Sequence, residues 1–268
     1  MDYQKIVTDV KEITIEAGKK IMEIYNSPDF EIEIKSDNSP ITRADKAAND
    51  YIVQKVKEKY PDFGLLSEES KDTKERLHKE YVWVIDPLDG TKEFIKRNGE
   101  FTVNVGLVKN GKPVVGVVLI PVKNEIYYAV EGGGAFYESL NGENLKISAS
   151  HKSEYNEMVM VKSRSHASEK LMKLIDKYKF KDVKDSGSSI KICLIAHGLA
   201  DIYFRFGNTN EWDICAAHCV LSEAGGKMTD CLGNTLIYNK VDPLNRNGFI
   251  ASNNAIHSKF VEMAQETI

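Results

Sequence analysis

Apolar residues recur at helical spacing from Tyr3 to Tyr25, and Asn26, Ser27 and Pro28 follow at once. Intervals of three and four residues place such side chains on one face of a helix, and proline ends the pattern. A second helical pattern starts at Thr42 and is closed by Pro61. The sequence therefore predicts two amphipathic helices near its start.

Short runs of β-branched and aromatic residues replace the helical pattern after Pro61. The runs at 81–85, 101–108 and 114–120 are typical of buried strands. The pair Asn110-Gly111 lies between the last two runs and favours a tight hairpin turn. The first half is therefore predicted to have helices packed on a sheet whose strands are largely joined by hairpins.

The second half alternates between strand and helix patterns. The predicted elements are strands at 158–161 and 200–206 and helices at 168–178, 190–197 and 213–224, the last ended by Gly225-Gly226. There is no internal repeat, low-complexity segment or clear linker. The fold class expected is α+β, as a single domain of residues 1–268 with subdomains 1–150 and 151–268.

Composition narrows the class of protein. Hydrophobic residues make up 42% and charged residues 28% of the 268 residues, both ordinary for globular proteins. The longest apolar run, 114–120, is far shorter than the roughly 20 residues that cross a bilayer. The N-terminus lacks the unbroken apolar core of a secretory signal. We expect a cytoplasmic protein without a transmembrane segment, and leave open peripheral association with the inner face of the membrane.

Charge and cysteine usage exclude other classes. The formal net charge is −4, so the balance does not indicate nucleic-acid binding, which usually shows a basic surface. The four cysteines have no CxxC spacing and are expected to be reduced and buried. An anionic ligand would have to be attracted by local groups.

An aspartate-rich segment follows the first predicted strand. Asp86 precedes Pro87, which disfavours helix at Asp86, so we expect its carboxylate at the end of the strand. Asp89, Gly90 and Thr91 follow, and a helix starting there would point the backbone N–H groups of Gly90 and Thr91 at an anion. The alternative is that Asp-Pro-x-Asp-Gly is ordinary turn chemistry.

Other acids have ordinary structural explanations as well. Glu68 and Glu69 end a short apolar stretch and are explained equally by a solvated surface. Asp213 would be a normal N-cap of the helix that follows it. Asp45 fits a capping box with Thr42. None of these acids alone establishes a metal or catalytic site.

Taken together, the motifs resemble a known family. Glu68-Glu69, the segment Asp86-Pro-Leu-Asp-Gly-Thr91 and Glu211-Trp-Asp213 followed by 223–226 resemble the signatures of the inositol monophosphatase superfamily. Within it, the segments 37–45 and 86–101 are similar to the 3′(2′),5′-bisphosphate nucleotidases of the CysQ type. The resemblance covers nearly the whole chain. It implies a layered α/β sandwich of the inositol monophosphatase and fructose-1,6-bisphosphatase type, with the site between two subdomains.

The same resemblance implies a metal-dependent hydrolase. Two or three Mg²⁺ ions would be bound by Glu68, Asp86, Asp89, Asp213 and the backbone carbonyl of Leu88. Converging carboxylates repel one another and a phosphate, which agrees with a need for hard cations. Asp45 and Thr91 would position and deprotonate the attacking water, and Glu69 would orient the metal ligands.

Substrate preference is implied by segments outside the acidic motifs. Ser163-Arg-Ser-His166, 187–191 and Arg205 resemble the segments with which bisphosphate nucleotidases hold adenosine and its phosphates. The substrate-binding candidates are Gly90, Thr91, Ser163, His166, Ser188, Lys191 and Arg205. Lysine and arginine can bind a phosphate that does not react, although isolated surface charges would look the same in a sequence.

The implied reaction is hydrolysis of the 3′-phosphate of 3′-phosphoadenosine 5′-phosphate to AMP, and hydrolysis of its sulfated precursor as well is left open. Sulfur metabolism and inhibition by lithium come with this resemblance. The alternatives are an inositol monophosphatase, hydrolysis of very short RNA and, from another class, a non-catalytic nucleotide or metal sensor. Ser188, Lys191 and Arg205 favour the nucleotide, because inositol monophosphate has no second phosphate. Monomer and homodimer remain open.

Overall fold

The structure, a computed structural model, describes residues 1–28, 32–34, 40–164 and 169–267. The helices are α1 Tyr3–Tyr25, α2 Arg43–Lys59, α3 Thr91–Ile95, α4 Glu169–Tyr178, α5 Ile190–Ala196, α6 Glu211–Glu223 and α7 His257–Thr267. The strands are β1 Glu33–Ile34, β2 Pro40–Ile41, β3 Gly64–Ser67, β4 Tyr81–Asp89, β5 Thr102–Lys109, β6 Lys112–Ile120, β7 Glu125–Val130, β8 Gly134–Ser139, β9 Glu143–Ile147, β10 Val159–Ser163, β11 Asp182–Ser186, β12 Ile202–Arg205, β13 Thr209–Asn210, β14 Lys227–Thr229, β15 Leu244–Asn245 and β16 Phe249–Ser252.

The larger sheet has seven strands in the order β3-β4-β5-β6-β7-β8-β9. β3 and β4 are parallel, and every later pair is antiparallel. Successive side chains of a strand point to opposite faces. Trp83 and Ile85 accordingly pack in one core with α1 and α2, whereas Val82 and Val84 pack in a second core with α6. The prediction of helices on a hairpin-connected sheet is confirmed.

The second sheet has five strands in the order β11-β10-β12-β16-β14. One of its faces shares a core with α5 and α6, and the other packs against α4 and α7. The chain thus forms alternating helix and sheet layers, with α5 and α6 between the two sheets, and the expected layered α+β sandwich is confirmed. Division of the chain near residue 150 stays a prediction. The two halves are in close contact, since α6 from the second half packs on the sheet of the first half.

Two facing glycines let α6 lie close to the larger sheet. Gly106 of β5 is paired with Gly116 of β6. A Cβ added at Gly116 would lie 2.2 Å from the carbonyl oxygen of Ala216, and one at Gly106 would lie 2.7 Å from Sγ of Cys215. Larger side chains at these positions would push the helix away from the sheet.

Gly116→Ala is therefore expected to destabilise the protein by about 3 kcal/mol, because the added methyl meets backbone that cannot turn aside. Gly18→Ala in α1 is the matched control. Its methyl would lie 2.4 Å from Cδ2 of Leu119, a side-chain tip that can move, and alanine is the better helix former. Urea unfolding measures both free energies. Equal losses in the two variants would contradict the assigned role of Gly116.

Local predictions agree with the structure in several places. α1 has the predicted bounds, and α2 is capped by Thr42. The hairpin turn Asn110-Gly111 has positive φ at both residues, 49° and 81°, as a tight turn of this kind requires. None of the described helices combines the length and apolarity that a membrane crossing needs.

One expectation was wrong: Asp86 does not end its strand. β4 continues through Pro87 to Asp89. Its pairing with β5 is interrupted between Asp86 and Asp89 and resumes where Asp89 faces Thr102. Proline has no N–H to donate and is tolerated in a sheet at such an irregularity. The residues that suggested a turn therefore lie within an extended strand, where its pairing with β5 is interrupted.

Candidate active site

Three carboxylates meet at one end of the larger sheet. Oxygen atoms of Glu68, Asp86 and Asp213 all lie within 4.8 Å of one another. Glu68 follows β3, Asp86 belongs to the neighbouring parallel strand β4, and Asp213 lies in the first turn of α6. The N–H of Glu68 donates to the carbonyl of Ile85 (3.2 Å), which places the first two acids side by side.

The position of Asp213 corrects a second expectation. Asp213 is not the N-cap of its helix, because α6 begins at Glu211 and Asn210 is the cap. Asp213 is instead the third helical residue, whose Oδ2 accepts from the N–H of Asn210 (2.8 Å) and from Oγ1 of Thr209 (2.7 Å). A carboxylate in this reciprocal arrangement satisfies free donors at the helix start. The capping interaction thus fixes one carboxylate oxygen of Asp213, which is also the third member of the acidic cluster.

Burial and mutual repulsion make this cluster electrostatically unfavourable. Desolvation raises the pKa of Asp86 well above its usual value, and Glu68, Asp89 and Asp213 raise it further. Desolvation, followed by the charge of Asp89, raises the pKa of Asp213 to about 7. Among the described residues, no lysine, arginine or histidine forms an ion pair with Asp86, Asp89 or Asp213. Within that part of the chain, the carboxylates of Asp86, Asp89 and Asp213 have no cationic side chain in direct contact.

Asp89 lies beside the cluster and is held by a loop from the second half. Its Oδ2 accepts from Oγ of Ser188 (2.6 Å), the N–H of Ser189 (2.8 Å) and Oγ of Ser189 (3.2 Å). Asp86 is similarly held by one oxygen, because its Oδ1 accepts from the N–H of Leu88 (3.0 Å). The carbonyl oxygen of Leu88 lies 3.4 Å from Oγ1 of Thr91. Each aspartate therefore has one oxygen fixed by the protein.

This donor set fits a hard divalent cation. Carboxylate and carbonyl oxygens are the ligands that Mg²⁺ and Ca²⁺ take in proteins. Burial and the neighbouring carboxylates raise the pKa of Asp86 and of Asp213, and a cation would compensate this negative charge. Hydrogen bonds to the outer oxygens orient the carboxylates, as groups behind metal ligands commonly do.

A second acidic group lies next to the cluster. Oγ1 of Thr91 donates to Oδ1 of Asp45 at 3.1 Å. Oδ2 of Asp45 accepts from the N–H (2.8 Å) and Oγ1 (2.5 Å) of Thr42, so the predicted capping box is confirmed. Asp45 is only 1% exposed. Desolvation raises its pKa, although the bonds from Thr42 and Thr91 favour the charged form. A hydrogen bond thus joins Asp45 at the start of α2 to Thr91 at the start of α3, and these two residues form a Thr91–Asp45 pair.

Gly90 permits the sharp turn between β4 and α3. Its φ is +97°, in the region that favours glycine, and a Cβ there would lie 3.2 Å from the carbonyl oxygen of Glu100. The predicted helix start at Thr91 is confirmed. Gly90 and Thr91 both line the cavity described next.

The cluster opens into a cavity of about 310 Å³. It is lined by most of the residues that the sequence motifs indicated: Glu68, Asp86, Leu88, Asp89, Gly90, Thr91, Ser163, Ser188, Lys191, Arg205 and Asp213. Asp45 is not part of this lining, but it accepts a hydrogen bond from Thr91, which is. Glu69 is half-buried and is not part of the lining. His166 lies outside the described residues, as do residues 37–39 of the quoted motif.

Basic groups lie in the same cavity as the carboxylates. Lys191 is 4% exposed, and its Nζ donates to the carbonyl of Ser188 at 2.7 Å and lies 5.1 Å from the ring centre of Tyr203. Burial lowers the pKa of Lys191 to about 8, and the charge of Asp89 opposes that shift. Arg205 donates to the carbonyl of Asn208 at 3.4 Å. A cationic region therefore shares the cavity with the acidic cluster.

Several lining residues were not identified as site residues from the sequence. They are Glu93, Gly187, Ser189, Ile192, Tyr203, Thr209, Ile214 and Phe249. Ser189 has the clearest role, because it holds Asp89. Its place between Ser188 and Lys191 in a quoted motif was the signal that could have found it. Tyr203 and Phe249 lie in buried strands, where the sequence pattern indicates only core.

Comparison with known proteins agrees with this geometry. The model of the inositol monophosphatase family matches residues 2–268. The 3′(2′),5′-bisphosphate nucleotidase CysQ of Escherichia coli (strain K12) is 39% identical over 249 residues, which is 92% of this chain and 99% of that protein. The protein of the same description from Buchnera aphidicola is 40% identical over 256 residues, covering 93% and 94% of the two chains.

Solved structures give the same result. The crystal structure of CysQ from Bacteroides thetaiotaomicron has a TM-score of 0.81 at 40% identity, covering 93% of this chain and 97% of that one. An inositol monophosphatase from Thermotoga maritima has a TM-score of 0.81 at 27% identity and covers 98% of both chains. Fold, acidic motifs and overall sequence agree, and the chain belongs to the inositol monophosphatase family.

Proposed function

We propose that the protein hydrolyses the 3′-phosphate of 3′-phosphoadenosine 5′-phosphate, giving AMP and phosphate, in a magnesium-dependent reaction. The observation that supports this most is that Lys191 and Arg205 line the same cavity as the acidic cluster. A substrate with two phosphates can place one at the carboxylate end and the other against the basic groups. The similarity to CysQ-type nucleotidases over more than nine-tenths of the chain supports the same substrate class.

Glu68, Asp86, Asp89 and Asp213, with the carbonyl of Leu88, would hold the Mg²⁺ ions. When bound, Mg²⁺ supplies positive charge to the phosphate, makes water a better nucleophile and stabilises the leaving oxygen. The protein's own part is to hold these oxygens in place: one oxygen of Asp86 and one of Asp213 are fixed by hydrogen bonds, as described above.

The Thr91–Asp45 pair would orient the attacking water and receive its proton. Because the hydroxyl of Thr91 donates its single hydrogen to Asp45, its oxygen lone pairs are free to accept a hydrogen bond from water. The water oxygen forms a bond to phosphorus, and its proton passes through Thr91 to Asp45. The bond between phosphorus and the ribose 3′-oxygen breaks, and that oxygen takes up a proton. General base catalysis of this kind needs a carboxylate within hydrogen-bond reach.

Lys191 and Arg205 would bind the 5′-phosphate that does not react, and Ser163 and Ser188 would contact the substrate. Cationic donors pair well with phosphate oxygens. Phosphate binding would also favour the charged form of Lys191, whose pKa burial lowers to about 8. The proposed contact of His166 with the nucleoside remains a prediction. Inositol monophosphate would leave the basic groups without a partner, which favours the nucleotide.

The test is phosphate release from 3′-phosphoadenosine 5′-phosphate and from inositol 1-phosphate, measured side by side with Mg²⁺ and again with EDTA. We expect a strong preference for the nucleotide that EDTA abolishes. A preference for inositol 1-phosphate would contradict the roles given to Lys191 and Arg205. Nucleotide binding without release of phosphate from either compound would instead favour a non-catalytic sensor.

A further inference from the structure

Two polar side chains interrupt an otherwise apolar strand beneath the site. Thr102 and Asn104 of β5 are 0% and 1% exposed, and their neighbours along the strand are mostly valine. Oγ1 of Thr102 lies 2.9 Å from Oδ1 of Asn104. Burying polar groups costs free energy unless they are hydrogen-bonded. Their presence in the core therefore calls for a role beyond packing.

Asn104 connects the strand to the loop that holds Asp89. Its Nδ2 donates to Oγ of Ser189 at 3.0 Å. Oγ of Ser189 in turn lies 2.7 Å from the carbonyl oxygen of Asp213 and 3.2 Å from Oδ2 of Asp89. One serine hydroxyl therefore contacts the backbone of one candidate metal ligand and the side chain of another.

Thr102 reaches the same loop directly. Its Oγ1 lies 2.5 Å from Oγ of Ser188, and that oxygen lies 2.6 Å from Oδ2 of Asp89. Each hydroxyl has one hydrogen to donate. Since Ser188 donates to Asp89, Thr102 is the donor in the contact with Ser188. The two hydroxyls thus form one donor chain that runs from the buried strand to Asp89.

The loop needs such support because its backbone is unfavourable. Ser188 has φ of 53°, a left-handed conformation that residues other than glycine adopt rarely. The neighbouring Gly187 packs tightly, since an added Cβ would lie 2.5 Å from the carbonyl oxygen of Glu100. Surrounding contacts have to maintain a conformation of this kind. The bonds from β5 to the serine pair supply part of that constraint.

We propose that Thr102, Asn104 and Ser189 are positioning residues. They couple the metal site to the loop of residues 187–189, which carries the substrate-binding candidate Ser188. They hold the serine pair against Oδ2 of Asp89, so that Oδ1 is the oxygen left for the cation. Within the described part of the chain, Oδ1 of Asp89 has no hydrogen-bond partner. The identity of the cation rests on the proposed function. Ser188 contacts the candidate metal ligand Asp89 and is also a substrate-binding candidate. Binding of the cation should therefore tighten binding of phosphate, and binding of phosphate should tighten binding of the cation.

Thr102→Val and Thr102→Ser form the test pair. Valine keeps the shape of threonine and removes the hydroxyl, whereas serine keeps the hydroxyl. Calorimetric titration of metal-free protein with Mg²⁺ is expected to give about 10- to 100-fold weaker binding in Thr102→Val and binding close to wild type in Thr102→Ser. Binding of Mg²⁺ by Thr102→Val within twofold of wild type would overturn the proposal.

The coupling is measured by repeating the titrations with saturating inorganic phosphate. We expect phosphate to tighten Mg²⁺ binding in the wild type and in Thr102→Ser, and to have a smaller effect in Thr102→Val. An unchanged phosphate effect in Thr102→Val would contradict the coupling. If the hydroxyl had only a structural role, phosphate would tighten Mg²⁺ binding by the same factor in Thr102→Val as in the wild type.

Ser189→Ala serves as a second variant should Thr102→Val fail to fold. It removes the hydroxyl that links Asn104 to Asp213 but keeps the N–H that donates to Asp89. We expect the same weakening of Mg²⁺ binding, and unaltered binding would again overturn the proposal. These titrations use no nucleotide. A wild type that binds Mg²⁺ as described but releases no phosphate would therefore contradict the proposed function alone.

Discussion

Asp86→Asn is expected to lower magnesium-dependent activity by about 1,000-fold or more and to make the metal-free protein more stable. The activity falls because loss of a cation's charge stabilisation costs several kcal/mol, and each 1.36 kcal/mol is tenfold in rate. The stability rises because the buried Asp86 carboxylate is repelled by Glu68, Asp89 and Asp213. Asparagine has nearly the same size, and its oxygen can still accept from the N–H of Leu88.

Phosphate release with Mg²⁺ measures the loss of activity, and thermal unfolding in EDTA and in Mg²⁺ measures the change in stability. Ligands that bind only the folded state raise Tm, so the wild type should gain stability with Mg²⁺ and the variant should gain much less. Asp62→Asn is the control, because Asp62 is an exposed residue of the turn before β3. A variant that is less stable than the wild type in EDTA would show that the cluster is not a strained arrangement of charge.

Local patterns predicted the elements whose causes are local. The 23 residues of α1 have apolar residues at helical spacing and a clear stop, and the structure gives the predicted bounds. The Asn110-Gly111 hairpin and the capping box of Thr42 and Asp45 follow from the conformations and hydrogen bonds that those residue types favour. In these places a few neighbouring residues determine the backbone.

The parts that could not be predicted depend on pairing between distant segments. The extension of β4 past Pro87 follows from its pairing with β5, in which Asp89 faces Thr102. Placement of Asp213 in the third helical position follows from hydrogen bonds to Thr209 and Asn210. A sequence pattern shows neither contact, and it treats both aspartates as ordinary turn or cap residues.

The supporting residues of the site are the hardest to predict. Thr102 and Asn104 lie in a run that the pattern identifies only as a buried strand, and Ser189 is one of two adjacent serines. The function of Thr102 and Asn104 depends on a loop some 85 residues away in the chain, to which Ser189 belongs. Polar residues inside an apolar run are nevertheless a usable signal, since an unpaired buried polar group would be costly.

Asp45→Asn is expected to lower kcat by about 100- to 10,000-fold, the usual contribution of a general base, with little change in KM or in Mg²⁺ affinity. Asparagine keeps an oxygen that can accept from Thr42, so the cap of α2 is retained, but it cannot take up a proton. Thr91→Val should give a similar loss, because the hydroxyl that links water to Asp45 is gone. Thr91→Ser keeps the hydroxyl and should remain active.

The double variant Asp45→Asn/Thr91→Val decides whether the two residues act as a unit. Residues of one proton path are strongly non-additive, since removal of either one already breaks the path. The double variant should therefore be about as slow as the slower single variant in a steady-state assay of phosphate release. A rate reduced by the product of the two single losses would mean that Thr91 acts through Leu88 or the substrate, independently of Asp45.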